Sequence, residues 1–174
     1  MRRDILCTVL IFRNGKMSQI DFFKRQAKNL NSDIKTQFFN EQEGIFEYKP
    51  RFFDINNIII EFELDERDPK FKSLGKAQWI IAIILGLRSW DELVHSDPVS
   101  LELYKLMFEH QDEITPDEWE GMFVLRTSEG EISVLEEPLD KLEHFKVLLE
   151  MAEKNLISRD FGNSYLIPKK LNQN

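Results

Sequence analysis

Cysteine and histidine are scarce in this sequence. Cys7 is the single cysteine and three histidines occur in 174 residues, so no internal disulfide can form, and the Cys and His spacings do not match a zinc site. Glycine-rich phosphate-binding motifs and the G-x-S-x-G motif are also missing, which excludes nucleotide binding by those routes and leaves no recognisable nucleophile. The sequence therefore predicts a reduced, cytoplasmic setting, with no cofactor, no metal and no catalytic residue that can be named.

Long hydrophobic runs are missing as well. The two longest are Ile5–Phe12 and Trp79–Leu85. Both are too short for a helix that crosses a bilayer, which needs about 20 residues. Hydrophobic residues make up 42% of the chain and charged residues 31%, which is an ordinary composition for a folded, soluble domain. At this length we expect one compact domain and no association with a membrane.

The first sixteen residues partly resemble a short signal peptide. Two arginines precede an apolar segment, as in a short signal peptide, but no small-residue cleavage site follows. The sequence Arg13-Asn14-Gly15-Lys16 is typical of a tight turn. We therefore expect residues 1–16 to form an exposed or strand-like extension and residues 17–174 to form a single mainly helical domain, with Met17 as an alternative start of the protein.

Signals for helix starts recur along the chain. Ser18 and Asp21 have the spacing of a capping box, and apolar residues follow them at helical intervals. Residues 40–50 have the composition of a polar loop, whereas residues 52–62 fit the helical period better than the alternation of a strand. Further start signals lie at Ser73, Ser89, Asp97, Thr115 and Pro138.

Two short apolar segments, 123–127 and 132–135, flank a turn sequence and predict a β-hairpin. Residues 165–167 have the composition of a short strand. The predicted fold class is accordingly mainly α, with about five or six helices and one small β-hairpin, or α+β if the N-terminal segment pairs as a strand.

The clearest local pattern is the segment 74–93, an apolar run that breaks at Gly86 and then restarts. It predicts a helix, a glycine turn and a second helix in which Trp90 folds back as an apolar anchor. The spacing of Ala82 and Gly86 is similar to that of a DNA-binding helix-turn-helix. However, two carboxylates follow Trp90 directly, which argues against an approach to phosphates.

One set of residues in this segment has the spacing A-Q-x-x-I-A-x-x-x-G-x-x-S-W-x-x-L: Ala77, Gln78, Ile81, Ala82, Gly86, Ser89, Trp90 and Leu93. This spacing resembles a short helical module of bacterial proteins that is often found beside ankyrin-repeat or glyoxalase-like domains, and residues 22–30 resemble the first helix of that module. The resemblance covers roughly a third of the chain. It implies a helical architecture but no catalytic residues, and the sequence after Ser96 does not match the ankyrin or glyoxalase domains.

Charge is distributed unevenly along the chain. Residues 91–153 contain 18 acidic and 4 basic residues, whereas the remainder contains 13 acidic and 19 basic residues. One interpretation is that amphipathic helices expose solvated carboxylates. The other is that the acidic half binds a partner with a basic surface, because complementary fields speed and select association.

Two groups of charged residues are candidates for partner binding. The first surrounds Trp119 and the second forms a basic face on the first helix; together they are Asp117, Glu118, Trp119, Glu120, Lys24, Arg25 and Lys28. Dense carboxylates can also bind Mg²⁺ or share protons, but a helix N-terminus already explains Asp117 and Glu118.

These observations favour a non-enzymatic protein-interaction or regulatory module with an acidic binding half. Two alternatives stay open. One is a nucleic-acid-binding regulator that uses the helix-turn-helix-like pair, and it predicts binding that weakens steeply with salt. The other is an enzyme whose site is assembled from distant residues, and it predicts a pocket with several convergent ionisable groups of perturbed pKa.

Overall fold

The computed structural model describes residues 3–126, 128, 130–154, 156 and 164–167, with side chains described from residue 19 onward except at Glu120. Seven helices occur in this part of the chain: α1 Arg3–Ile34, α2 Ile55–Glu61, α3 Leu74–Ile84, α4 Trp90–His95, α5 Pro98–Glu109, α6 Pro116–Met122 and α7 Pro138–Glu153. Two antiparallel hairpins accompany them, β1 Phe38–Asn40 with β2 Ile45–Glu47, and β3 Val124–Arg126 with β4 Ile132–Val134. The predicted fold class, mainly α with a small β-hairpin, is confirmed.

The N-terminal segment departs from the prediction. Helix α1 begins at Arg3 and continues to Ile34, so the tight turn predicted at residues 13–16 and the strand-like alternative are both wrong. The predicted helix start at Ser18 is wrong for the same reason. Asn14 and Gly15 together cost a helix about 1–2 kcal/mol, which the neighbouring good helix formers can offset. Asp21 does not cap a helix start, and its carboxylate pairs with Lys24 at 3.2 Å.

The other predicted helix starts are confirmed. Ser73 Oγ accepts a hydrogen bond from Lys76 N at 3.1 Å, and Asp97 Oδ1 accepts from the backbone N–H groups of the first turn of α5. The helix predicted within residues 52–62 is α2, and the hairpin predicted after residue 122 is β3–β4. The β1–β2 hairpin was missed, and β2 lies inside the predicted loop 40–50, because three-residue strands are too short to show a period.

The core forms where α1 packs against α3 and α5, and where α5 packs against α7. At its centre, the rings of Phe22, Phe23 and Phe53 make edge contacts with Phe108 at centroid distances of 5.9 to 6.2 Å. Edge-to-face geometry is favoured because the positive ring edge meets the negative ring face. This cluster holds α1, α5 and the segment before α2 together.

Residues 164–167 pair with the segment that leads into α2 and contact the first turn of that helix. Leu166 forms an antiparallel bridge with Phe53, and the carbonyl oxygen of Tyr165 accepts a hydrogen bond from Asp54 N at 2.9 Å. Asn57 Nδ2 donates to the carbonyl of Ser164 at 3.2 Å. The strand-like interpretation of residues 165–167 is thereby confirmed, and Tyr165 is held in a fixed position.

Candidate functional site

The helix–turn–helix segment 74–93 forms α3, a glycine turn and α4. Ala77, Ile81 and Ala82 are fully buried, and Ser89 Oγ caps α4 by accepting a hydrogen bond from its third residue at 3.2 Å. Trp90 is half-buried and packs against the core. The motif therefore specifies how two helices pack, and α4, at six residues, is short for a DNA recognition helix.

The residues predicted on α6 serve different purposes. Trp119 is only 6% exposed, and its indole Nε1 donates a hydrogen bond to the carbonyl of Ile114 at 3.1 Å. The carboxylate of Glu118 accepts hydrogen bonds from Thr115 N at 2.7 Å and from Thr115 Oγ1 at 2.9 Å. These two side chains stabilise the helix and its packing. Asp117 is exposed, and the side chain of Glu120 lies outside the described residues.

The three predicted cations on α1 lie on its solvent face. Lys24, Arg25 and Lys28 are all exposed. The guanidinium of Arg25 lies 5.9 Å from the ring centroid of Phe22, and Lys24 pairs with Asp21. None of the three lines the groove that Asp117 lines between α2, α3, α5, α6 and α7, so the structure does not combine them with Asp117 in one site.

A groove of about 470 Å³ opens between the ends of several helices. Its walls come from the C-terminal ends of α2 and α3, from α5 and α6, from the start of α7 and from Tyr165. Five aromatic side chains line it: Phe62, Tyr104, Trp119, Phe123 and Tyr165. A concave, aromatic site with a few polar groups is the usual form of a ligand pocket, which makes this groove the candidate functional site.

Charged side chains stand at three places in the groove lining: Glu61, Asp117 and Lys141. The ammonium group of Lys141 lies 5.7 Å from the ring centroid of Phe123. This distance is within the range of a cation–π interaction. The lining thus contains two carboxylates, one ammonium group and the aromatic ring that contacts it.

Two tyrosines in the groove have raised pKa values. Burial, followed by the negative charges of Glu61 and Asp117, raises the pKa of Tyr165 to about 12. Burial, followed by the charges of Glu92 and Asp97, raises the pKa of Tyr104 as well. Both phenols are therefore protonated at neutral pH and can donate hydrogen bonds. A negative electrostatic field acts on both hydroxyl groups.

Most of this site was not predicted from the sequence. Only Asp117 and Trp119 were among the predicted residues, whereas Glu61, Phe62, Tyr104, Lys141 and Tyr165 were not. They come from separate segments that only the tertiary fold brings together, so no local spacing indicates them. The local signal nearest to the site was Gly86, whose turn ends α3 at the groove wall.

Comparison of the chain with protein-family models, with curated proteins and with solved structures found no match. The resemblance to the bacterial helical module stays a prediction. Among the described residues, no helix is both long and apolar enough to cross a membrane. The same residues contain no group of three or more His, Cys, Asp or Glu side chains placed to hold a metal ion.

Proposed function

We propose that this protein is a non-enzymatic, cytoplasmic protein-interaction module that binds a basic segment of a partner protein through its acidic half. The aromatic groove with Glu61 and Asp117 in its lining is the observation that carries this proposal. A volume of about 470 Å³ suits a few side chains of an extended segment. A large apolar anchor would fill the aromatic walls, and flanking lysine or arginine residues would meet the acidic surface.

The charge of the surrounding chain supports a basic partner. Three of the groove-forming helices, α5, α6 and α7, lie within residues 91–153. This segment contains 18 acidic residues and only 4 basic ones. Complementary charge raises association rates and suppresses wrong partners. The proposed binding should therefore weaken as salt concentration rises, because the rim charges are exposed.

The tyrosines of the groove are better suited to binding than to catalysis. A phenol acting as a base or nucleophile at neutral pH needs a lowered pKa. The pKa values of Tyr104 and Tyr165 are shifted in the opposite direction by burial and by neighbouring carboxylates. Protonated hydroxyl groups can instead donate hydrogen bonds to the carbonyl groups of a bound segment.

Peptide selection tests this proposal. A random library of displayed 12-residue peptides is selected on the full chain and counter-selected on the variant Glu61→Lys/Asp117→Lys, whose two altered side chains are exposed. We expect enriched peptides to carry an aromatic or aliphatic residue next to lysine or arginine. Synthetic copies should lose at least about tenfold in affinity for the variant, in keeping with the cost of like charges at an interface.

The matched control is Glu41→Lys/Glu43→Lys, which makes the same change in net charge at two exposed residues of the β1–β2 turn, outside the groove lining. Binding that falls equally in both variants would reflect net charge alone and would contradict a groove site. Selection of peptides without basic residues would also contradict the proposal.

A further inference from the structure

The groove lining combines an aromatic pair with two carboxylates. The rings of Phe62 and Tyr165 lie 5.4 Å apart at an angle of 44°. Glu61 directly precedes Phe62 in the chain, and Asp117 lines the same groove from α6. We call these four residues, Glu61, Phe62, Asp117 and Tyr165, the cation subsite.

We propose that the cation subsite binds the ammonium or guanidinium group of a partner's lysine or arginine side chain. Such binding rests on the protein-interaction function and specifies the chemical group that the groove recognises. Aromatic faces attract cations through the ring quadrupole, and nearby carboxylates add a direct Coulomb attraction. An apolar wall beside the charged groups also suits the methylene stem of a long basic side chain.

The two carboxylates act on the same place in the groove. The negative charges of both Glu61 and Asp117 reach the Tyr165 hydroxyl group and add to the effect of burial in raising its pKa. They belong to different helices, α2 and α6, so the fold itself brings their fields together. A cation placed beside the Tyr165 hydroxyl group would therefore be attracted by both carboxylates.

Another part of the groove lining already contains a contact between an ammonium group and an aromatic ring. Lys141, which belongs to the groove lining, has its ammonium group 5.7 Å from the ring centroid of Phe123. This contact has the combination of groups that we propose for the cation subsite, an ammonium group over an aromatic ring. The subsite differs by adding two carboxylates.

The backbone of Tyr165 is held by two hydrogen bonds. Its backbone N–H donates to Gln111 Oε1 at 2.9 Å, and its carbonyl accepts from Asp54 N at 2.9 Å. The residue is 3% exposed. A preformed aromatic wall lowers the entropy cost of binding, because the wall does not have to be ordered when the ligand arrives.

Two small probes separate the charge from the stem. N-acetyl-lysine-N-methylamide carries the ammonium group, and N-acetyl-norleucine-N-methylamide carries a similar stem without it. Each is titrated into the full chain at low salt while the NMR signals of the Tyr165 amide and the Trp119 indole are followed. We expect the lysine probe to bind at least about fivefold more tightly than the norleucine probe, a ratio that corresponds to about 1 kcal/mol.

The variant Glu61→Gln/Asp117→Asn should lower this ratio, because only the aromatic faces then still attract the ammonium group, while the weak binding of the norleucine probe stays unchanged. The control Glu41→Gln/Glu43→Gln should keep the ratio of the native chain. Equal binding of both probes to the native chain would overturn the cation subsite, and so would a ratio that Glu61→Gln/Asp117→Asn leaves intact.

These outcomes are distinguishable from failure of the proposed function. If displayed peptides bind the groove but the two probes bind equally, the module binds partners through an apolar anchor and the cation subsite is wrong. If the lysine probe binds selectively but no peptide is enriched, the cation subsite stands and the protein-interaction function is wrong.

Discussion

Gln111 and Tyr165 are joined by a buried hydrogen bond across 54 residues of sequence, in which Gln111 Oε1 accepts from the backbone N–H of Tyr165 at 2.9 Å. The amide nitrogen of Gln111 donates to the carbonyl of Phe108 at 3.2 Å. Gln111 is fully buried two residues after the end of α5. It therefore uses its donor and its acceptor together, and it fixes the groove wall formed by Tyr165 to the core.

Replacing Gln111 by Leu should loosen this wall. Leucine has a similar size but no polar atoms, so the Tyr165 N–H and the Phe108 carbonyl would be buried without partners, at a total cost of about 2–4 kcal/mol. Urea unfolding measures the loss, and hydrogen exchange should show faster exchange at the Tyr165 amide than in the native chain. Asn57→Ala, which removes a longer bond to Ser164, should cost about 1 kcal/mol or less. Equal stability of native chain and Gln111→Leu would contradict the structure.

Asp33 has a comparable role at the end of α1. The residue is only 1% exposed. Its carboxylate accepts hydrogen bonds from the backbone N–H groups of Arg51, Phe52 and Phe53 at 2.8 to 3.1 Å. Asp33→Ala should cost about 3 kcal/mol or more in the free energy of unfolding, because three donors lose a charged acceptor. Asp21→Ala is the control, since Asp21 is exposed and pairs only with Lys24 among the contacts described. A chemical melt showing equal losses for the two variants would refute this role.

Trp119 and Trp90 should respond differently to truncation. Trp119 is buried and donates a hydrogen bond to the carbonyl of Ile114, so Trp119→Ala should cost about 3–5 kcal/mol in the free energy of unfolding. Trp90 is half-buried at the start of α4, and Trp90→Ala should cost about half as much. Thermal unfolding of both variants tests this order. A reversed order would place the main aromatic anchor in α4 after all.

Local signals in the sequence predicted much of the helical architecture. Caps such as Ser73 and Asp97 act through hydrogen bonds to residues two or three positions away, so a single sequence contains both partners. The hairpin β3–β4 was predictable for a similar reason, because its turn and both strands lie within a short segment. In α1 the same logic failed, since a turn signal of Asn and Gly was overridden by a long helix.

The groove could not be predicted in this way. Tyr165 reaches it only because Gln111 and Asp54 bind its backbone, and both partners are more than fifty residues away in the chain. Glu61 and Asp117 come from different helices. The charge asymmetry of the chain predicts a basic partner but no place of contact, because composition does not specify which carboxylates share a surface.

Gly86 and Gly75 form a natural pair for testing the turn after α3. Gly86 has a φ of +74°, and its N–H and that of Leu87 donate to the carbonyls of Ile83 and Ala82 at 3.0 Å in a Schellman arrangement. A Cβ added at either glycine would meet no atom within 4 Å. Gly86→Ala should therefore cost about 1–2 kcal/mol through backbone strain alone. Gly75→Ala, inside α3, should be neutral or stabilise by up to about 1 kcal/mol. Urea unfolding measures both, and a Gly86→Ala protein at least as stable as the native chain would contradict the left-handed turn.

The tyrosines should make the fold sensitive to alkaline pH. All three tyrosines, Tyr48, Tyr104 and Tyr165, have pKa values raised first by burial, and that of Tyr165 rises to about 12. In the unfolded chain a tyrosine ionises near about pH 10. Above that pH the unfolded state releases the proton while the folded state keeps it, so stability is complete below about pH 10 and falls as pH approaches 12. Tyr165 alone should contribute a loss of about 1 kcal/mol at pH 11 and about 2 kcal/mol at pH 12. Urea unfolding from pH 8 to 11 should show native stability falling relative to Tyr165→Phe. A difference between the two proteins that is constant over this range would mean that Tyr165 ionises equally easily in the folded and unfolded chains.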